Sequence, residues 1–271
     1  MSEVKVYDMI KDMEYIARLR ADKTRILEIG KKAFEGEVDE RVAAFEKQTT
    51  LRDFSFGIAY RRFGESYARA AAYEKAVACG KTALAIFSAL ERTDAVRSEM
   101  EGVYRNISNA YHSLCEDKTA WEFSLQCAFL ELEKYPEPYH PERELFFERV
   151  SNIYACMEDY ENAIAWAYKG LDFEEKMHGG RLYFCSRWRE RLAFLYREMG
   201  DVEKEVEQLW FVVELEEKRN EAYQEVFVPS LYDAWKRLLE IFEAQGTPEK
   251  AACFYEKFTE MSVYAGEEDE W

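Results

Sequence analysis

Asn109 and Asn152 stand at matching places in two successive sequence repeats, with arginines around both: Arg61 and Arg105 before the first, Arg149 between them, Arg187 and Arg191 after. An asparagine side chain offers a donor and an acceptor together, which suits a peptide group, and an arginine fork suits a carboxylate. Phe194 takes the corresponding place in the next repeat, where it suits an apolar anchor or the core. His112, one turn beyond Asn109, is able to hydrogen-bond a ligand, to titrate with pH, or simply to serve a helix contact. The same asparagines and arginines would also be at home as solvated residues or in surface charge pairs.

Bond-making chemistry finds no comparable set. The sequence has no Gly-rich phosphate loop, no His-Glu-x-x-His, no Gly-x-Ser-x-Gly and no dinucleotide fingerprint. Three histidines lie too far apart for a metal cluster, and six cysteines include no Cys-x-x-Cys pair, so they read as buried free thiols of a reducing compartment. Neither catalysis nor a cofactor nor a metal is expected.

The candidate residues owe their spacing to a repeat. Tyr67, Tyr111, Tyr154, Tyr196 and Phe242 are 44, 43, 42 and 46 residues apart. Four residues before each lies Phe63, Ile107, Val150, Leu192 or Leu238, and three before lies Gly64, Ser108, Ser151 or Ala193, with Leu239 as the exception. Seven before is a large aromatic, Tyr60, Tyr104, Phe147 or Trp235; nine after is Ala76, Ala120, Ala163 or Ala251. The fourth repeat departs twice, with Arg189 and Glu205 at those last two places. Large and small residues one helical turn apart let antiparallel helices pack closely. Short polar turns around Asp159, Gly200 and Gly246 separate the helices of a unit, Gly ending one helix and an acidic or Pro residue starting the next.

These residues resemble the tetratricopeptide repeat over roughly residues 55 to 262. The resemblance implies an all-α, right-handed α-solenoid of about five helix-turn-helix units. The spacing exceeds the family's usual ~34 residues, as in long variants similar to kinesin light chains and the peptide-pheromone receptors of Gram-positive bacteria. Peptide-binding members grip a ligand's backbone with asparagines of the first helices and hold carboxylates with basic residues there. The resemblance thus implies a peptide site at Arg61, Arg105, Asn109, His112, Arg149, Asn152, Arg187, Arg191 and Phe194, and an adaptor that holds a partner protein or peptide.

Composition agrees. Only 12 Gly and 5 Pro interrupt 271 residues, which favours long helices. A net charge of −17 argues against nucleic acid and anionic membranes as partners. The first-helix segments nevertheless sum to +2, leaving −19 for the rest, so a ligand with acidic groups is expected on that face. Residues 1–50 read as a helical cap or degenerate repeat, with apolar spacing through Tyr7, Ile10, Met13, Ile16 and Leu19, then Ile26, Ile29 and Phe34, then Val42 and Phe45. Residues 51–263 read as the solenoid and 264–271 as an acidic flexible tail. With no secretory signal or membrane span in the pattern, a cytoplasmic location is expected. Two other roles fit the same pattern: a peptide-sensing regulator, although residues 1–50 lack a convincing DNA-binding helix-turn-helix, and a unit that self-assembles through its terminal repeats.

Overall fold

The computed structural model describes residues 3–49, 52–178, 185–223 and 228–247, with positions 249, 251, 252, 255 and 259 beyond them. Among these there are ten helices and no strand. They are α1 (Glu3–Gln48), α2 (Phe54–Arg69), α3 (Tyr73–Ser88), α4 (Asp94–Ser113), α5 (Asp117–Leu132), α6 (Glu142–Cys156), α7 (Tyr160–Met177), α8 (Ser186–Met199), α9 (Val202–Tyr223) and α10 (Pro229–Ala244). None is long and apolar enough to cross a membrane. The acidic segment 264–271 lies outside the described residues.

The repeat seen in the sequence is a repeat of turns. Each register aromatic sits two or three residues from the end of α2, α4, α6, α8 or α10. Its carbonyl accepts the amide of the residue five positions on, Ala72, Glu116, Asp159, Asp201 or Thr247, at 2.9–3.0 Å. The residue just before that amide is left-handed in all five turns: Ala71 (φ 59°), Cys115 (60°), Glu158 (60°), Gly200 (76°) and Gly246 (66°). Its own amide bonds the carbonyl three residues back, for example Glu158 to Ala155 and Gly200 to Arg197, both at 3.0 Å. This double closure satisfies carbonyls that the helix end would otherwise leave unpaired. The next helix then starts at once. Asp159 caps α7 through the amide of Asn162, and Asp201 caps α9 through that of Lys204, each at 3.2 Å. The turn around Asp159 contains no glycine, so Glu158 adopts the left-handed conformation that the sequence reading assigned to Gly.

The chain forms two compact units, Met1–Leu130 and Glu131–Trp271. In the first, α2 packs on α3 and α3 on α4, while α2 also touches α4, so alternate helices share a layer. Gly80 on α3 is required by this packing, since a Cβ there would lie 2.6 Å from Ile107 of α4. The long α1 joins this core through Phe34, Val38, Val42 and Phe45, spaced for one helical face. Polar ties reinforce the contact: Tyr67 donates to Asp39 at 2.7 Å, Tyr60 donates to Glu46, and Lys75 bridges Glu35 and Asp39. Ile29, which the apolar spacing placed with Phe34, is 60% exposed because it lies ahead of the packed stretch.

In the second unit α6 packs on α7, α7 on α8, α8 on α9 and α9 on α10, with α8 also meeting α10. Trp188 of α8 is almost wholly buried, and Gly170 on α7 makes room for it: a Cβ would fall 2.3 Å from the indole. The register is regular through α6 and α7, where Ser151 is buried and its hydroxyl donates to the carbonyl of Ala163 at 2.9 Å. It changes chemistry in α8 and α9. Arg189 stands where the other units carry an aromatic and donates to the buried Gln208 at 2.9 Å, lying over Phe211. Glu205, in the alanine position, is 2% exposed and receives two bonds from Arg237 of α10, at 2.7 and 3.3 Å. The unit that broke the sequence pattern thus replaces an apolar contact with two matched polar ones.

Of the six cysteines, Cys79, Cys127 and Cys185 are buried as expected. Cys115 and Cys156 are exposed instead, because each falls at or near a turn between helices. Cys253 lies outside the described residues.

Candidate functional site

The candidate residues all lie on the first helix of a pair. In the first unit Arg61, on α2, pairs with Glu65 one turn along and with Glu99 of α4, both at 2.7 Å. Asn106 donates to the same Glu65 at 3.2 Å, so these groups stitch α2 to α4. Arg105 is exposed and pairs with Glu101, a carboxylate that is largely buried. His112 is held through Nδ1 to Asp117 at 2.8 Å and edge-on against Trp121 at 4.5 Å, which makes it a clasp between α4 and α5. The carboxamide of Asn109 is exposed and engages no other described residue. Arg62, exposed on α2, has no ion partner among the described residues.

In the second unit Arg149 of α6 pairs with Glu131, and Arg187 of α8 pairs with Glu144 and, at 3.6 Å, with Glu148. The acids come from the same layer or the preceding helix. Much of the positive charge counted along the first helices is therefore already matched within the protein, by pairs exposed enough to exchange partners at a cost of about 0–1 kcal/mol each. Asn152 repeats the state of Asn109: exposed, with no described partner. Arg191 is half-buried. Its Nε lies 3.4 Å from the Ser151 hydroxyl, its Nη2 is closed to solvent without a hydrogen-bond partner, and burial lowers its pKa from the ordinary arginine value. Phe194 is 38% exposed and lies between two guanidiniums, Arg191 at 5.4 Å and Arg197 at 5.3 Å from the ring centre.

Beside Phe194 the structure adds what the spacing did not reveal, a half-open cavity of about 260 Å³ lined by α8, α9 and α10. Ala193, Leu209 and Ala234 supply apolar wall, and Glu190, Asp233, Glu205, Arg197 and Arg237 supply charge. Burial raises the Glu190 carboxyl above the usual range, the nearby Ser230 hydroxyl opposing the shift and Glu216 and Asp233 adding to it. One oxygen of Glu190 is closed to solvent and has no hydrogen-bond partner. The only trace of this cavity in the sequence was the irregularity of the fourth repeat. Among the described residues there is no group of His, Cys, Asp and Glu fit to hold a metal.

No protein-family model matches the sequence, and no curated protein is similar to it. BtubC (BKLC) from P. vanneervenii has a solved structure that superimposes with a TM-score of 0.48 at 14% identity, over 88% of this chain and 91% of that one. A putative kinesin light chain from Podosopora anserina, described as having nearly identical TPR-like repeats, also scores 0.48, at 16% identity over 78% of this chain and 95% of that one. A variant of the same protein gives that score and identity over 79% of this chain. Likeness of this degree says nothing about ligands. The five matching turns and the helix pairs they join stand on the chain's own geometry, and by that geometry the protein is an all-α repeat built of tetratricopeptide-like helix pairs.

Proposed function

We propose that the protein binds a peptide segment of a partner protein on the exposed face of its first helices. The observation that supports this reading is the state of Asn109 and Asn152. Two carboxamides at the same register position are held on rigid helices, exposed and unengaged, each with a donor and an acceptor to offer a peptide group. Each compact unit supplies its own set: Arg62, Arg105 and Asn109 on the first, Arg149, Asn152 and Phe194 on the second. The arginines select for acidic side chains by exchanging an internal glutamate for one on the ligand. That exchange is close to neutral in energy, so it tunes specificity more than affinity. The backbone contacts carry most of the binding.

The test is selection of peptides from a random displayed library on the purified chain, followed by calorimetry with the selected sequences. Asn109→Ala and Asn152→Ala together are expected to weaken binding about tenfold or more, the scale of a lost pair of hydrogen bonds, while circular dichroism stays unchanged. Selected peptides that bind the double variant as tightly as the parent would place recognition elsewhere.

A further inference from the structure

We infer that the cavity between α8, α9 and α10 is a pocket for one basic side chain, lysine or arginine, of a bound peptide; the inference rests on the peptide-binding reading above.

Size is the first ground. At about 260 Å³ the cavity is smaller than the ~300–1,000 Å³ typical of whole small-molecule sites, and it suits a single long side chain. Its charge is the second. Glu205 is closed off by the two bonds from Arg237, and Arg237 spends its remaining reach on Glu240 at 3.1 Å. Arg197 lies over Phe194 and 3.9 Å from Glu198. That leaves Glu190 and Asp233, two acids on the cavity wall with no ion partner among the described residues. A buried carboxylate oxygen without a donor is costly, by about 1–3 kcal/mol or more for a charged group. An incoming ammonium or guanidinium would supply the missing donor and offset one of the two charges. The walls are the third ground: Ala193, Leu209 and Ala234 offer apolar surface to the methylene stem while the head reaches the acids.

This site prefers the opposite charge from the arginine-bearing positions along α6 and the start of α8. A partner segment recognised by this unit therefore carries at least one basic residue as well as its acidic ones, which distinguishes it from a simple acidic tail.

The experiment follows the indole proton resonances of the intact protein by NMR while capped tripeptides are added: glycine-arginine-glycine, glycine-lysine-glycine and glycine-glutamine-glycine, with 1,5-diaminopentane as a free amine. The two basic tripeptides are expected to saturate a site that the glutamine tripeptide leaves empty. Glu190→Gln should weaken them about tenfold, as loss of a charged hydrogen bond does, and Asp233→Asn, at the more exposed acid, by less. Glu243→Gln, at an exposed acid of α10 outside the cavity, should leave them unchanged, which separates this pocket from a general loss of negative charge. Equal shifts with the glutamine tripeptide, or basic tripeptides indifferent to both acid variants, would overturn the inference while leaving the asparagine reading intact. Tighter binding of the diamine than of either tripeptide would overturn the assignment to a peptide side chain. Should Glu190→Gln disturb folding, Asp233→Asn carries the same test from the rim.

Discussion

The third and fourth helix pairs share one backbone register and solve the same burial problem in opposite ways. In α6 and α7 the register positions hold Phe147, Ser151 and Ala163; in α8 and α9 they hold Arg189, Ala193 and Glu205. Both pairs also bury a glutamate. Glu205 is met by a guanidinium fork, whereas Glu174 of α7, 4% exposed, shares a hydrogen bond with the like-charged Glu144 and has His178 at 3.0 Å and the charge of Arg187 on the basic side. Burial above all, with Glu144 adding to it, pushes the Glu174 carboxyl up to about 7. The turn geometry fixes where the helices lie, and the interface then accepts either apolar or ionic chemistry provided each buried group is matched. Glu205 is matched by a cation; Glu174 is matched chiefly by a second carboxyl, which favours its protonated form.

The largest expected effect comes from breaking the matched pair. Arg237→Ala strands the Glu205 carboxylate and is expected to cost about 3–5 kcal/mol in the second unit, read as loss of the denaturation midpoint. Adding Glu205→Ala, which restores the alanine of the other units, should recover most of it. Failure of the second change to rescue the first would mean that Arg237 acts by packing alone.

Next comes Glu174. A folded-state pKa raised to about 7 means the folded protein holds its proton more tightly than the unfolded chain. The stabilising proton is present below the usual value near 4.5 and is lost as pH rises toward about 7, so the second unit weakens across that window. Glu174→Gln should therefore raise the melting temperature at pH 8, by the equivalent of about 1–2 kcal/mol, and change little at pH 4.5. An equal shift at both pH values would contradict the role of the charge.

Ser151→Ala should cost about 1 kcal/mol, the usual value of a hydrogen bond, and less if Arg191 turns to fill the gap. The smallest effects lie in the turns. Glu158→Gly is expected to stabilise by about 0.5–1 kcal/mol and Gly200→Ala to destabilise by about 1 kcal/mol, because only one of these residues tolerates a left-handed backbone without strain. A destabilising Glu158→Gly would show that the side chain contributes more than its backbone costs.

The helix pairs were legible in the sequence because tight packing demands a large residue and a small one at fixed offsets, and those offsets survive in four of five units. The left-handed residues at Ala71, Cys115 and Glu158 were not, since nothing about alanine, cysteine or glutamate announces a positive φ. Residues 1–50 showed an interrupted apolar pattern, yet α1 is one helix over Glu3–Gln48, and among its described side chains those packed on the hydrophobic core lie within residues 34–45. At the candidate site the positions of Asn109 and Asn152 followed from the register. The partners of the arginines did not, because Glu131 and Glu144 lie 18 and 43 residues away from Arg149 and Arg187 in sequence. The cavity by Phe194 depends on three helices meeting, which no local pattern records.

The peptide-binding claim is tested most directly by placing a photo-crosslinking amino acid at position 109 or 152 and, for comparison, at the exposed second-helix positions 85 and 165. The account predicts that a selected peptide is captured from 109 or 152 and not from 85 or 165. Capture from the second-helix positions alone would contradict it.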